Sequence, residues 1–512
     1  MFYKKWLPRQ RELKLEGLGD ENAVEGELLS SLSDNEQWIQ ETFANCTDLM
    51  IRKLQLFDSI PCIIVFFQEL IDMKQLDEEL LSPLLKNKSV TYGTVPQLIE
   101  SIELELVPVA KTKRIHNRNE MIQHILGGEA VLLLEGSKQG ISVNVKENQL
   151  HRGLKEPETE AVIRGPRVGF IENIYTNMAL IRQQIRTPQL KVERMTIGAI
   201  TQTELAILYV ENISPPEVIT EMKRRLSRIK LDSVLESGYI EEMIRDAPYS
   251  PFPVLQMSER PDTVAACLIE GKVALLINGT PMSLIAPVTF WHGFQSAEDF
   301  YTSYIFSTFL RWLRYFFAFL SLTLPSLFIA VMTYHQEMIP TSLTLSLAAA
   351  RETVPFPTFV ETLLMEITFE AIREAGIRLP RPVGQTISIV GVLVIGQAAV
   401  QAGIVSNPIV MIVSLTGIAS FLIPNTNMSQ AIRILRFPLM LFAGIFGLYG
   451  FMAVMLALLI HLVNLRSFGV PYMAPLAPFS AAGIWDILVR APWWVLHKRQ
   501  HHIHTEQEME KK

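Results

Sequence analysis

Apolar and polar positions change rhythm twice along this chain, and each change marks a boundary. IPCIIVFF (60–67) is a continuous β-branched and aromatic run suited to a buried strand, and VLLLEGSKQGISVNV (131–145) reads as two short strands around a glycine-flanked turn. NEMIQHIL (119–126) between them has helical spacing, so a first α/β subdomain is expected over residues 38–150. A second subdomain is expected over 151–310. In it TIGAITQTELAILYVENI (196–213) alternates as strand material, and SPPE (214–217) starts a helix, with Ser214 as cap, Pro215 at the first helical position and Glu217 completing a capping box. Val218, Ile219, Met222, Leu226 and Ile229 then share one face, while Lys223, Arg224, Arg225, Arg228 and Lys230 share the other, a solvated face or an anionic-lipid or partner site. KVALLING (272–279) is expected as the last strand. Residues 1–37, charged and carrying Gly17, Gly19 and Gly26, read as a mobile arm.

The second change is one of solvent. Residues 315–336 hold no Asp, Glu, Lys or Arg and suffice for one membrane span at about 20 residues per crossing. The run between Arg381 and Arg433 is uncharged, and Ser406-Asn407-Pro408 divides it into spans 383–405 and 408–424; a further span is expected over 437–464. PFPTFVETLLMEITFEAIREAG (355–376) is amphipathic, with Thr362, Glu366, Glu370 and Arg373 on one stripe, and it lies in the interface, re-enters or crosses. A membrane domain of four to six spans over 311–465 and a tail over 466–512 follow. The side of the tail stays open at this stage, because the loop arginines fit either parity. The expected fold is therefore an α+β or α/β cytoplasmic N-terminal region of two subdomains followed by an all-α polytopic membrane domain.

Composition sharpens this division. No lysine lies between Lys272 and Lys498 and no aspartate between Asp299 and Asp486, so the charge is concentrated in the first 310 residues. The net charge of −6, with no basic stripe, leaves no footprint for nucleic acid. Three scattered cysteines (46, 62 and 267) indicate neither a disulfide framework nor a zinc site. The first twenty residues lack an apolar signal core, so the N-terminal region is expected to stay in the cytoplasm.

Catalytic chemistry finds no support in the motifs. The two glycines of RGPRVG (164–169) do not have phosphate-loop or dinucleotide spacing, and no nucleophile-elbow, zinc-protease or C-x-x-C pattern occurs, so no enzyme, cofactor or metal site is expected. After RGPRVG, Phe170, Ile174, Met178, Ile181 and Ile185 recur at helical spacing, with Glu172, Asn173, Asn177, Arg182 and Gln183 expected on the polar side. In the membrane half, Gly391, Gly396, Gly403, Gly444, Gly447 and Gly450 provide close-packing surfaces, within one chain or between copies. Intramembrane polar groups usually face protein or a water path, which makes Thr362, Glu366, Glu370, Gln397 and Gln401 the candidate pore or gate.

EPETEAVIRGPRVGFIENIYTNMALIRQQI (156–185), DAPYSPFPVLQMSERPDTVAACLIEGKVALLINGTP (246–281), the stretch from Pro355 through Pro408 and SFGVPYMAPLAP (467–478) resemble the A subunits of the bacterial spore germinant receptors, the GerA family. The resemblance implies a multi-pass subunit in the spore inner membrane, partnered by a transporter-like, nutrient-binding B subunit and a lipoprotein C subunit. It also implies a homo-oligomer, a pentamer, acting as a nutrient-gated channel that releases monovalent cations. The alternative is a non-conducting signalling scaffold; a secondary transporter ranks last, since no internal repeat is seen in the membrane half. On this reading Glu160, Arg164, Arg167 and Glu172 are expected to couple subdomains or neighbouring copies, the first three through ion pairs.

Overall fold

The computed structural model describes residues 26–56, 60–86, 95–102, 112–146, 156–378 and 396–492. The first unit contains α1 (Leu32–Thr42), β1 (Leu49–Leu56), β2 (Ile60–Phe67), the short helices α2 (Met73–Gln75), α3 (Ser82–Lys86) and α4 (Val95–Ser101), β3 (Thr112–Ile115), α5 (Arg118–Leu126), β4 (Ala130–Leu134) and β5 (Gly140–Val143). Its five strands form an antiparallel sheet ordered β1-β2-β4-β5-β3. Along β2, Cys62, Ile64 and Phe66 enter one core while Ile63, Val65 and Phe67 enter the other. The uninterrupted apolar run thus reflects a strand covered on both faces. Helix α1, capped by Ser31, starts within the segment expected as a mobile arm.

The second unit repeats this plan. It has α6 (Ile174–Gln184), β6 (Leu190–Ile197), β7 (Thr203–Val210), α7 (Pro216–Arg228), α8 (Ser237–Ile244), β8 (Gln256–Ser258), α9 (Pro261–Ile269), β9 (Val273–Ile277) and β10 (Ser283–Ala286), in a sheet ordered β6-β7-β9-β10-β8. The order matches the first sheet strand for strand, and α9 precedes the central pair as α5 does in the first unit. The strand over 273–277 is not the last, because β10 pairs beside it. Helix α7 starts one residue later than its capping signal suggested: Pro215 is the cap, and the Ser214 hydroxyl instead donates to the Lys272 carbonyl at 3.4 Å.

The units meet along the start of β6. Val192 donates to the Asn45 carbonyl and accepts from Thr47, with Cys46 opposite it, and Arg182 of α6 reaches Asp48 in the first unit. Asn177 and Arg182, expected on a polar face, are both buried. Asn177 is held by the backbone of Ile171, and Arg182 is paired across the boundary between units.

The helical half comprises α10 (Tyr304–Tyr334), α11 (Thr341–Arg351), α12 (Thr358–Arg378), α13 (Gly396–Gln401), α14 (Asn407–Phe421) and α15 (Thr426–Asn464), followed by β11 (Arg466–Ser467), β12 (Val470–Pro471) and α16 (Ala481–Leu488). Helices α10 and α15 are long and apolar enough to cross a membrane. Most of the expected span 383–405 lies outside the described residues.

Helix α15 is not one straight rod. Gly447 sits at φ 62°, ψ −142°. Met428 and Ile432 near its start share a core cluster with Leu462 near its end and with Val288 and Phe294 of the sheet side. A straight helix of this length would separate its ends by almost 60 Å at 1.5 Å per residue, so residues 426–446 run outward and 448–464 return. The expected single span over 437–464 is therefore a hairpin that turns at Gly447, where Tyr334 at the far end of α10 donates to Gly444 and Ile445 carbonyls. After the hairpin, Leu465, Tyr472 and Met473 join the same cluster and Phe468 joins the second sheet's core, which places residues 465–473 on the sheet side.

That backbone conformation is open to glycine and strongly disfavoured for other residues, and a Cβ at Gly447 would come within 3.0 Å of the Tyr334 ring. Gly447→Val is expected to destabilise the helical half by about 2–3 kcal/mol. Thermal unfolding of the full chain in detergent would read this, and a variant melting like wild type would show that the hairpin turns elsewhere.

Candidate functional site

Helix α12 arranges acids along its inner face. Glu366 and Glu370, four residues apart, share a side, while Glu361, five residues before Glu366, stands roughly 140° round the helix; each meets an arginine from another element. Glu361, fully buried, lies 3.6 Å from Arg351 at the end of α11 and accepts the Ser406 backbone N–H that precedes α14. Glu366, also fully buried, accepts from Arg436 Nη1 at 2.6 Å and from Thr416 Oγ1 at 3.3 Å. Arg436 continues into α10, donating from Nε to the Ser321 carbonyl at 2.8 Å and from Nη2 to its hydroxyl at 2.7 Å. Glu370 accepts from Arg433 Nη1 at 2.8 Å. Charge-assisted bonds thus fasten α12 to α14 and α15, Arg436 carries the tie on to α10, and Glu361 adds an ion pair with α11.

The residues expected at a pore or gate therefore divide into two sets. Thr362 and Glu366 are buried within the chain, where the Thr362 hydroxyl donates to its own helix at Thr358, and Glu370 is half-buried against Arg433. Gln397 and Gln401, one turn apart on α13, are exposed. Sequence reasoning missed the arginines: Arg433 and Arg436 read as charges closing an apolar run, whereas the structure folds them inward. Their signal was the acid stripe itself, which needed cations at the same depth.

Close packing holds the acids in place. A side chain at Gly444 would come within 2.6 Å of the Phe359 ring, and Gly417 lies directly against Phe369. Gly403 adopts φ +67° and passes the Thr353 carbonyl at the turn between α11 and α12. These contacts are within one chain.

A second set lies where the sheets meet the helices. Glu160 accepts from the Ser258 hydroxyl at 2.6 Å and from the Glu259 N–H at 3.3 Å, and burial pushes its carboxyl above the ordinary range. Its cationic neighbour is Arg260, not Arg164 or Arg167. Arg260 donates to the backbone oxygens of Glu160 and Pro166 and pairs with Asp262, which in turn accepts from Tyr301 Oη at 2.5 Å. Arg164 is exposed, Arg167 is exposed at 3.8 Å from Glu156, and Glu172 is exposed with its carbonyl accepting from Gly279. The 156–168 segment thus latches onto the start of α9 and onto Tyr301, three residues before α10. At that junction Asp299 binds Arg311 and Arg314 of α10.

No group of His, Cys, Asp and Glu suited to a metal ion occurs among the described residues, and the three cysteines are buried and free. Burial pushes the Cys267 thiol up to about 11 and the Cys62 thiol up to about 12, which keeps both protonated and unreactive.

Comparison with known proteins bears on the whole chain. A sequence profile described as Bacillus/Clostridium GerA spore germination protein matches residues 37–502. The chain is 44% identical over 485 residues to the uncharacterized membrane protein YfkQ of Bacillus subtilis (strain 168), covering 92% of this chain and 94% of that one. It is 41% identical over 479 residues to spore germination protein KA of the same organism, covering 93% and 87%. The crystal structure of the N-terminal domain of the A subunit of the Bacillus megaterium spore germinant receptor GerK3 aligns with 52% of this chain and 98% of its own length, at 32% identity and a TM-score of 0.41. With the family profile matched from the first sheet unit to beyond α16, the chain belongs to the GerA family of spore germination proteins.

Proposed function

We propose that this chain is the A subunit of a nutrient germinant receptor, and that copies of it assemble in the spore inner membrane into a nutrient-gated channel for monovalent cations. Its partners on this reading are a transporter-like, nutrient-binding B subunit and a lipoprotein C subunit. The helical half is a polytopic membrane domain, with the sheet units and residues 466–492 on the core side.

The observation that carries this reading is an uncovered polar surface in the apolar half. Gln397 and Gln401 on α13 are exposed, and so are Ser342 and Ser346 on α11, a helix with no buried residue. Polar side chains left in hydrocarbon are costly and belong against protein or water, and the described residues of a single copy offer neither. A ring of copies, a pentamer on the family pattern, offers both. The acids are engaged inside each protomer, so the proposed path is lined by neutral hydroxyl and amide groups, and the buried charges set the spacing of the helices behind it.

A second reading draws on the same acids. Glu366 and Glu370 would be the natural cation ligands, and both are occupied by arginines, as expected of a non-conducting signalling scaffold.

The test is to reconstitute the purified full chain in nanodiscs for mass and in potassium-loaded liposomes for flux, with and without the B and C partners. A discrete ring whose nutrient-triggered flux falls about tenfold in the Gln397→Leu/Gln401→Leu variant, at unchanged ring mass, supports the channel; the factor corresponds to roughly 1.4 kcal/mol on the permeation barrier. A complete complex that triggers germination while conducting nothing would select the scaffold.

A further inference from the structure

The three acid–arginine contacts on α12 do not balance. Around Glu366 and Glu370 stand three arginines: Arg436 and Arg433, already paired, and Arg373, one turn beyond Glu370. Among the described residues Arg373 has no carboxylate of its own; its guanidinium lies over the Phe421 ring at 4.7 Å. Two anions thus face three cations, leaving one positive charge uncompensated. Three polar atoms here are buried without a hydrogen bond: Arg373 Nη1, Arg433 Nε and Glu370 Oε1. Buried polar groups are rarely left unsatisfied, and two donors beside one acceptor describe what is missing.

The place fixes what could supply it. Arg433 stands seven residues into α15, so it lies about 10 Å along the axis from the helix start, which packs on the sheet units through Met428 and Gly293. That is the depth of a headgroup layer, between the sheets and the apolar core. The site lies just beneath the surface, because Arg373 and Arg433 are half-buried and Phe421 is 61% exposed, and small side-chain movements would bring the three buried atoms to a ligand.

The geometry points to a binding site for a phosphate-bearing anion at Arg373 and Arg433, filled from the membrane by an anionic phospholipid whose headgroup carries hydroxyls. The phosphodiester oxygens accept from Arg373 Nη1 and Arg433 Nε, and a headgroup hydroxyl donates to Glu370 Oε1. Phe421 supports the Arg373 plane and borders the acyl chains. Arginine at the membrane surface suits this task, since its planar fork binds phosphate with fixed geometry. Bound there, the lipid would join α12, α14 and α15, so occupancy would tighten the helices behind the proposed path. The inference rests on the chain being membrane-embedded, as proposed above, but on neither conduction nor oligomer number.

The experiment uses the full chain in nanodiscs of phosphatidylcholine doped with phosphatidylglycerol. Native mass spectrometry reads the lipid retained, and thermal unfolding reads the stabilisation. Wild type is expected to retain phosphatidylglycerol over phosphatidylcholine by about fivefold, and Arg373→Gln to lose that preference. Arg378→Gln, which removes an exposed arginine already paired with Glu374 on the same helix, is expected to keep it. Phe421→Leu, which leaves every charge in place, is expected to weaken the preference and serves where Arg373→Gln folds poorly. Stabilisation by inorganic phosphate, lost in Arg373→Gln and without lipid preference, would keep the phosphate site and move its source to the aqueous side. Equal retention of both lipids by wild type with no effect of phosphate, or equal loss in Arg373→Gln and Arg378→Gln, would overturn the site. Failure of the protein to enter nanodiscs at all would count against the membrane reading instead.

Discussion

Asp48→Asn is expected to loosen the junction between the two sheet units by about 3–5 kcal/mol. The Asp48 carboxylate takes two bonds from Arg182, at Nε and, at 2.8 Å, at Nη2. Both side chains are almost entirely shielded from solvent. The remaining Arg182 nitrogen donates to the Leu190 carbonyl at 3.2 Å, and the guanidinium lies 4.1 Å over the Phe67 ring. Removing the carboxylate charge leaves a cation that can neither reach water nor lose its proton, which is why breaking such a pair is far more damaging than the pair's own net contribution. The exposure should be local. Hydrogen exchange is expected to rise first where residues 45–47 bond Val192, before either sheet opens. Asp48→Leu/Arg182→Met, which replaces the pair by apolar side chains, is expected to recover most of the loss. A single variant within 1 kcal/mol of wild type would mean that the pair adds little to the backbone bonds and the other contacts between the units.

This junction also shows what sequence pattern could reach. The strand cores were legible because each follows a local rule: the apolar run of β2 and the Gly-flanked pair β4–β5 carry their signal within a few residues. Arg182 was assigned to a polar face because helical spacing says only which residues share a side, and its partner lies 134 positions away. The duplication of the sheet units was invisible for a related reason. It resides in strand order, which no residue spells out, whereas the residues filling the two cores differ. In the helical half, apolar runs marked where helices lie but not where one folds back. The reversal at Gly447 leaves only a cluster of glycines, which also reads as close packing. The acid stripe was found, yet its direction was not. A stripe facing water and a stripe facing arginines have the same spacing, and the arginines sat where charge normally closes a span.

Glu366→Gln carries the other large expected effect, and its rank against Glu370→Gln tests the whole arrangement. Arg436 is buried at its full length, and its bonds to Ser321 satisfy nitrogens without neutralising charge. Among the described residues only Glu366 does that, so the amide variant leaves a full positive charge between α10, α12 and α15, at a cost of about 3–5 kcal/mol. Glu370 is about a quarter exposed and Arg433 partly so, and water can screen whichever charge remains. Glu370→Gln is therefore expected to cost about 1 kcal/mol. Thermal unfolding of the full chain in detergent separates the two values. Comparable losses, or the reverse order, would mean that Glu366 meets water in the membrane, as a path-lining acid would, and would return it to the pore. If the order holds, the same variant tests gating. The pair fastens the helices behind the exposed face of α11 and α13, so spores carrying Glu366→Gln at a permissive temperature should release cations with less nutrient than wild type. A variant that assembles, is destabilised as expected and yet keeps the wild-type nutrient threshold would confine the spine to stability and separate it from the gate.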